Sequence, residues 1–346
     1  MRVLVAGAGA VGAWLGGALA AAGADVALVG RPAFVAAVRA EGLRVERGGP
    51  TTRTRPAAFA TVAEAGEAAP FHAVLVTVKS YDTAAIAADL ALLPPSPVVS
   101  FQNGVGNEAD LALRLPHHEV VAATLTTSVG APAPGVVRGG DGGGVGLGAA
   151  PGGPDLAPLA AAFTAGGLCV RSYADPAAMK WSKLLLNLLG AASAAALGWP
   201  TGRALAHPGV FALERAAWRE AQDVMAALGL RPVTLPGYRV PLLAAVGRRL
   251  PAALLRPLVV RQMARARGER LAGLAADLEA GRGRTEAPVL GGAVVAAGET
   301  VGRPTPANRA LTALVGEIAA DAAARGILAG RPDRLLEAVA ARGWRP

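Results

Sequence analysis

The sequence predicts an α/β protein, a doubly wound parallel sheet over the first half followed by an all-helical second half. Three observations carry this expectation. A strand-like run, Arg2-Val-Leu-Val-Ala6, passes directly into Gly7-Ala-Gly9-Ala-Val-Gly12 and then an Ala-rich helical stretch through Trp14 to Ala22. Short apolar runs recur after it between helical or Pro-rich segments, the alternation that winds helices around a parallel sheet. Beyond Pro176 long helical periodicities take over, punctuated by Pro and Gly.

The first strand-to-helix corner says most about chemistry. A GxGxxG pattern alone is a weak signal, but at such a corner each glycine has a task. Gly7 permits the tight turn, Gly9 lets the backbone approach a pyrophosphate, and Gly12 lets helix and strand pack closely. Free N–H groups at the helix start then face the phosphates. The N-terminal domain is therefore expected to be of Rossmann type, with Gly7, Ala8, Gly9, Ala10, Val11 and Gly12 around a dinucleotide. The second strand, Asp25-Val-Ala-Leu-Val29, ends at Gly30-Arg31. Chains that hold NAD place an Asp or Glu on the ribose hydroxyls roughly 20 residues past the glycines. Here Arg31 follows the strand instead, and a guanidinium suits a 2′-phosphate. The expected cofactor is NADPH/NADP+.

Further strands are expected at Ala73–Val78, Val98–Phe101 and Val120–Thr126. Gly135-Val-Val-Arg138 and Gly144-Val-Gly-Leu-Gly148, joined by a Gly-Gly-Asp-Gly-Gly link, read as a hairpin added to the same sheet, and Leu168–Ser172 as the last strand. The domain boundary is set near residue 174, giving an NADP-binding domain over 1–174 and a helical substrate and catalytic domain over 175–346. Helices are expected at Lys180–Leu197, Phe211–Leu228, Arg261–Glu279, around Pro288–Val301, and at Ala307–Arg325.

A chain of 346 residues suits two domains. Its apolar fraction of 53% is swollen by alanine while aromatics are only 4%, which fits helices packed through small side chains. The net charge of +9 raises the question of nucleic acid. The arginines are scattered and no recognition motif is present, so no nucleic-acid partner is expected. The densest basic stretch, Arg248 to Arg270, is broken by Pro251 and Pro257 and reads as a helical surface near a ligand cleft or a partner contact. A single Cys169 and four histidines without ligand spacing argue against a disulfide or a metal. The apolar run after Lys183 is interrupted by Asn187, so no membrane span is expected. The chain starts at its first strand with no signal peptide ahead of it, and a soluble cytoplasmic protein is expected. Helix faces of the second domain are candidates for a homodimer contact or simply for core.

Three polar islands interrupt the apolar ground. Val76-Thr-Val-Lys79 delivers a lysine at a strand's carboxyl end, where open α/β sheets bind ligands. Ser100-Phe-Gln-Asn103-Gly-Val-Gly106 delivers an amide at the next one, suited to orienting a nicotinamide or a substrate oxygen. In Lys180-Trp-Ser-Lys183-Leu-Leu-Leu-Asn187, Lys183 and Asn187 are four apart and share a helix face. A cleft-facing ammonium there would protonate a carbonyl oxygen as hydride reaches its carbon. A snorkelling surface lysine fits the periodicity equally well, and Lys180 competes for the acid's role.

Taken together, these motifs resemble the ketopantoate reductases, or 2-dehydropantoate 2-reductases, over nearly the whole chain. The resemblance rests on Gly7–Gly12, Arg31, the V-T-V-K of Lys79, the Q-N-G-V-G of Asn103, and W-S-K-L-L-L-N around Lys183. It continues through D-L-E-A-G-R-G-R-T-E, ending at Glu286, and Pro304-Thr-Pro-Ala-Asn308. It implies an NADPH-dependent reductase of a 2-oxo acid with its cleft between the two domains. Lys183 matches the general acid and Glu286 an active-site glutamate near it. Asn103 and Asn187 match contacts to cofactor or substrate. The implied cofactor set is Gly7–Gly12, Arg31, Lys79, Asn103 and Ala123, and the substrate set Asn103, Lys183 and Asn187.

The chain departs from the pattern in its second half. Ala191 stands where a second asparagine is usual, Gly273 where a serine is expected, and one residue is inserted between Asp277 and Glu286. Ala287-Pro288 and Gly291-Gly292 replace Ile-Asp and Asn-Gly, and Pro288 removes a backbone donor beside Glu286. Losing groups that hydrogen-bond a polar substrate redirects recognition. Three readings stand: reduction of ketopantoate to pantoate, reduction of another 2-oxo acid or ketone, and a non-catalytic NADP(H)-binding regulator.

Overall fold

A computed structural model describes residues 1–267, 273–281 and 283–345. Contacts divide the chain into two compact units, Met1–Lys180 with Thr234–Tyr238, and Trp181–Val233 with Arg239–Pro346. The fold is mixed α/β, with a Rossmann-like sheet in the first unit and helices in the second.

The strands of the first unit are β1 (Arg2–Ala6), β2 (Asp25–Val29), β3 (Leu43–Arg47), β4 (Thr52–Thr54), β5 (Ala57–Phe59), β6 (Ala73–Val76), β7 (Val98–Ser100), β8 (Val120–Leu125), β9 (Val129–Ala133), β10 (Val136–Gly139), β11 (Val145–Gly148) and β12 (Val170–Tyr173). Its helices are α1 (Ala10–Ala21), α2 (Pro32–Glu41), α3 (Val62–Gly66), α4 (Thr83–Leu90), α5 (Asn107–Arg114) and α6 (Ala157–Ala165), and α7 (Pro176–Leu188) begins in it. The main sheet has the order β12-β11-β8-β7-β6-β1-β2-β5, and a second sheet the order β4-β3-β10-β9. From β8 to β5 all neighbours are parallel; β11 turns antiparallel to β8 and carries β12 parallel to itself.

Strand alternation explains the layering. Val3, Val5, Val26 and Leu28 point into one apolar cluster with Leu15 and Leu19 of α1. Leu4, Ala6, Ala27 and Val29 point into another with Val62, Ile86, Leu90 and Leu111 from α3, α4 and α5. Strands buried on both faces read as continuous apolar runs, as these do. Each such Val or Leu contributes roughly 1.5–3 kcal/mol of burial. Small residues bring α1 close to both sheets: a Cβ on Gly16 would meet Leu28 Cδ2 at 2.5 Å, and one on Gly17 would meet Val45 Cγ2 at 2.5 Å.

The expected hairpin is corrected. Val136–Gly139 pairs with β3 and β9 in the second sheet, whereas Val145–Gly148 pairs with β8 and β12 in the first. The glycine-rich link between them is a crossing from one sheet to the other, because non-local partners outcompete the local one. The second sheet itself went unread: β3 and β4 are short and carry exposed charges, Arg44 and Arg53 among them.

The second unit holds the rest of α7, α8 (Ala191–Leu197), α9 (Thr201–Ala206), α10 (Pro208–Ala227), α11 (Val240–Arg249), α12 (Ala252–Arg267), α13 (Gly273–Glu279), α14 (Gly291–Thr300), α15 (Pro306–Ala320), α16 (Ala322–Leu328) and α17 (Pro332–Ala340). The expected Lys180–Leu197 helix breaks in two. Gly190 takes φ +77°, and a Cβ there would also sit 2.5 Å from Thr201 Cγ2. The expected Ala307–Arg325 helix breaks at Asp321, whose Oδ1 accepts from Ala323 N at 2.8 Å and caps α16. Of the expected Arg261–Glu279 helix, and of the basic stretch ending at Arg270, residues 268–272 lie outside the described residues. Among the described residues no helix is long and apolar enough to cross a membrane.

Two carboxylates of α10, Glu214 buried and Glu220 half-buried, organise this unit. Glu214, 1% exposed, accepts from Gly190 N and Ser193 N, both at 2.9 Å, and so holds the start of α8. Glu220 accepts from Ala307 N at 2.8 Å and Asn308 N at 2.9 Å at the start of α15, with Asn308 Nδ2 at 2.8 Å. Helix N-termini present unpaired N–H groups and a positive partial charge, which is why acids settle there. Burial pushes both carboxyls above their usual range, against the pull of those N–H donors.

A raised pKa in the folded state gives stability that is full below about pH 4.5 and is lost as pH rises through the folded value. The wild type is therefore expected to lose more stability between pH 5 and 8 than Glu214→Gln, which carries no titrating group there. Urea midpoints of both proteins across that range check this; parallel profiles would show Glu214 ionised at its ordinary pKa.

Candidate active site

The corner after β1 is shaped by three different demands on its glycines. Gly7 takes φ +112°, and a Cβ on it would sit 2.7 Å from Val78 Cγ1 and 2.8 Å from Val78 N. A Cβ on Gly12 would run into the Gly7 carbonyl oxygen and Thr77 Oγ1. Thr77 Oγ1 meanwhile donates to that carbonyl at 2.7 Å, so helix start, turn and the end of β6 lock together. Gly9 is different: it is exposed, and a Cβ on it would meet nothing within 4 Å. The space beside it is open, and it stands at the N-terminus of α1. That terminus has no side-chain cap and no acidic residue in its first turn. These features fit the pyrophosphate of a dinucleotide, which needs backbone N–H donors, no competing carboxylate and close backbone approach.

The other candidate residues of the first unit stand on the same edge of the sheet. Because β7, β6, β1 and β2 are consecutive and parallel, their carboxyl ends carry Asn103, Lys79, Gly7–Gly12 and Arg31 in one row. Arg31 is exposed at the start of α2. Gly30 before it leaves room where a Cβ would come within 3.1 Å of Ala8 Cβ, so the two loops touch. Lys79 and Asn103 are half-buried. Ala123 sits away from this row, mid-strand in β8 opposite Leu147 and fully buried in the core.

One side chain that sequence reasoning passed over ties two of these loops together. Gln102 is 4% exposed; its Nε2 donates to Thr83 Oγ1 at 2.8 Å and to the Val78 carbonyl at 3.3 Å. Its own carbonyl accepts from Lys180 Nζ at 2.6 Å, and Nζ lies 2.9 Å from Glu108 Oε1. Lys180, the competing candidate for an acid, is thus buried at 5% exposure between a carbonyl and a carboxylate. A buried ammonium paired in this way is a structural element.

In the second unit, Lys183 and Asn187 are half-buried, one turn apart on α7, between the buried Ser182, Leu184 and Leu185. Ser182 Oγ accepts from Val233 N at 2.8 Å, and the Leu185 carbonyl accepts from Trp218 Nε1 at 2.8 Å, which fixes the helix's rotation. Glu286 is 4% exposed and precedes a one-turn 3-10 helix, Ala287–Val289, where Pro288 takes an early helical position that tolerates it. The chain neighbours of Asn187 and Glu286, Leu188 and Ala287, line a small cavity of about 20 Å³. Ala191 and Gly291 line it too, with Glu214 and Thr312. Gly273 and Pro288 are exposed and do not. Ala191, Ala287 and Gly291, three of the positions that depart from the family pattern, therefore meet in one cavity.

Comparison with known proteins agrees with this architecture. Residues 3–152 match the family described as Ketopantoate reductase PanE/ApbA, and residues 175–319 match Ketopantoate reductase PanE/ApbA C terminal. The 2-dehydropantoate 2-reductase of Halobacterium salinarum is 39% identical over 223 residues, 62% of this chain and 72% of that protein. That of Archaeoglobus fulgidus is 29% identical over 318 residues, 91% of this chain and 96% of that protein. The crystal structure of a PanE/ApbA family ketopantoate reductase from Ralstonia eutropha JMP134 matches with a TM-score of 0.76 and 32% identity, covering 92% of this chain and 98% of that one. The chain belongs to the ketopantoate reductase family of dinucleotide-dependent oxidoreductases.

The glycine geometry separates folding from binding. Gly12→Ala is expected to destabilise the protein by about 1–3 kcal/mol through overpacking. Gly9→Ala should change stability by less than about 1 kcal/mol yet weaken dinucleotide affinity roughly tenfold. Thermal melts and NADPH titration of the two variants check both; equal affinity for wild type and Gly9→Ala would remove the phosphate from this corner.

Proposed function

We propose that this chain reduces 2-dehydropantoate (ketopantoate) to pantoate with NADPH, a step towards pantothenate and coenzyme A. The observation that carries the reading is the row of loops at the carboxyl ends of β7, β6, β1 and β2, which offers a dinucleotide three kinds of contact in sequence. Arg31 suits a 2′-phosphate, the Gly7–Gly12 corner a pyrophosphate, and Lys79 and Asn103 the nicotinamide end. Family membership supplies the substrate class.

The dinucleotide, when bound, supplies the hydride. The protein must supply orientation and a proton. Lys183 Nζ is assigned the proton delivered to the oxygen of the substrate's C2 carbonyl as that carbon is reduced. Asn187, on the same face of α7, is assigned a hydrogen bond to the substrate, for which its amide offers both donor and acceptor. Glu286, a buried carboxylate of the same unit, is assigned to the catalytic group with Lys183. Asn103 orients the carboxamide of the nicotinamide.

NADPH oxidation with ketopantoate, beside a panel of other 2-oxo acids, tests the substrate. Ketopantoate is expected to give the highest kcat/KM; a much better turnover of another ketone would reassign it. Lys183→Ala should lower kcat by about 10²–10⁴-fold, the span of general acid catalysis. Arg31→Ala should cost NADPH about tenfold in affinity relative to NADH, since a charge-assisted hydrogen bond contributes roughly 1.5–3 kcal/mol. An unchanged NADPH/NADH ratio would reject NADP(H) selectivity through Arg31.

A further inference from the structure

The Asn103 turn is braced from below. Lys180 Nζ donates to the carbonyl of Gln102, the residue before Asn103, at 2.6 Å. It also pairs at 2.9 Å with Glu108, in the first turn of α5, where the turn ends. Between these anchors Gly104 and Gly106 take φ of +86° and +97°, backbone without side-chain support. Asn107 Nδ2 donates to the Asn103 carbonyl at 2.8 Å. The Gln102 side chain then carries the brace sideways, through Nε2 to the Val78 carbonyl beside Lys79 and to Thr83 Oγ1. One buried ammonium therefore stands behind both strand-end loops on the β6–β7 side of the sheet.

We propose that Lys180 is a positioning residue that sets the Gln102–Asn107 turn, and through it the placement of Asn103 and Lys79 against the nicotinamide end of the cofactor. The inference rests on the dinucleotide reading above, not on the identity of the 2-oxo acid. The direction of the effect follows from strand order. Arg31 at the end of β2 takes the adenosine side and β1 the pyrophosphate, so the loops of β6 and β7 meet the far end. The ammonium donates to the Gln102 carbonyl and sits at ion-pair distance from the Glu108 carboxylate. A methionine in its place fills similar volume but leaves the carbonyl without its donor and the carboxylate without its counter-charge. An arginine keeps charge and donors.

The test compares NADPH with a ligand that keeps its adenosine 2′-phosphate half and lacks the nicotinamide half. Lys180→Met is expected to bind adenosine 2′,5′-bisphosphate within about twofold of wild type while losing roughly tenfold or more for NADPH, a difference of about 1.4 kcal/mol. Lys180→Arg should restore most of that loss. With a 2-oxo acid substrate, Lys180→Met should lower kcat while the basic limb of its pH profile stays in place. Three results would overturn the proposal: unchanged NADPH affinity, equal losses for both ligands, or disappearance of the basic limb, which would make Lys180 the proton donor itself. Should Lys180→Met fail to fold, Glu108→Gln is expected to show a smaller loss confined to NADPH, and no such loss would be equally decisive. A wild type that binds NADPH but reduces no 2-oxo acid would defeat the catalytic reading while the two affinities still decided this one.

Discussion

Burial of β1 on both faces is the constraint from which the first unit follows. Val3, Leu4, Val5 and Ala6 are all fully buried, alternating between two apolar clusters. A strand in that position has no side on which to carry a polar group, so polar chemistry is displaced to its end. The parallel neighbours β6, β7 and β2 share the condition, and parallel order puts their ends on one edge. At the switch between β1 and β6, the chain meets the turn with backbone alone. Gly9 N and Thr77 Oγ1 both donate to the Gly7 carbonyl, which ties the turn to the start of α1 and the end of β6. An open phosphate cradle and a row of Lys79, Asn103 and Arg31 are consequences of that displacement.

The helix starts at α8 and α15 and the one at α1 meet different partners. In the second unit the starts of α8 and α15 are filled by the carboxylates of Glu214, buried, and Glu220, half-buried, and desolvation raises both pKa values. The start of α1 has no capping side chain and no acid in its first turn. Backbone donors beside Gly9, where no side chain stands in the way, are the arrangement that suits an anion.

Much of the first unit was legible because its signals are local. Strand-like runs, the Gly7–Gly12 corner and the polar strand ends at Lys79 and Asn103 lie within a few residues of each other in sequence. What escaped reading was non-local. Strands β3, β4, β9 and β10 are short and carry polar or exposed residues, and only their partners define them; hence Val136–Gly139 was paired with the wrong strand. Gly190 looked like a tolerated glycine in a long helix, but its positive φ and its contact with Thr201 come from tertiary packing. The departures at Ala191 and Gly291 could be seen in sequence, while their meeting in one cavity, apart from Gly273 and Pro288, could not.

Lys180 and Lys183 show most sharply why residue type and spacing do not assign a role. They lie three apart on one helix, with the same functional group, and periodicity leaves either as an acid. Their surroundings divide them. Lys180 is enclosed at 5% exposure with a carbonyl and a carboxylate within 3 Å, so its ammonium is already in use. Lys183 is half-buried on the face it shares with Asn187, one turn away, where an amide and an ammonium stand side by side. One lysine has the environment of a strut; the other shares its face with an amide and is not enclosed. A strut under a strand-end loop matters wherever that loop must hold a ligand, because a group misplaced by about an ångström forfeits much of what orientation provides.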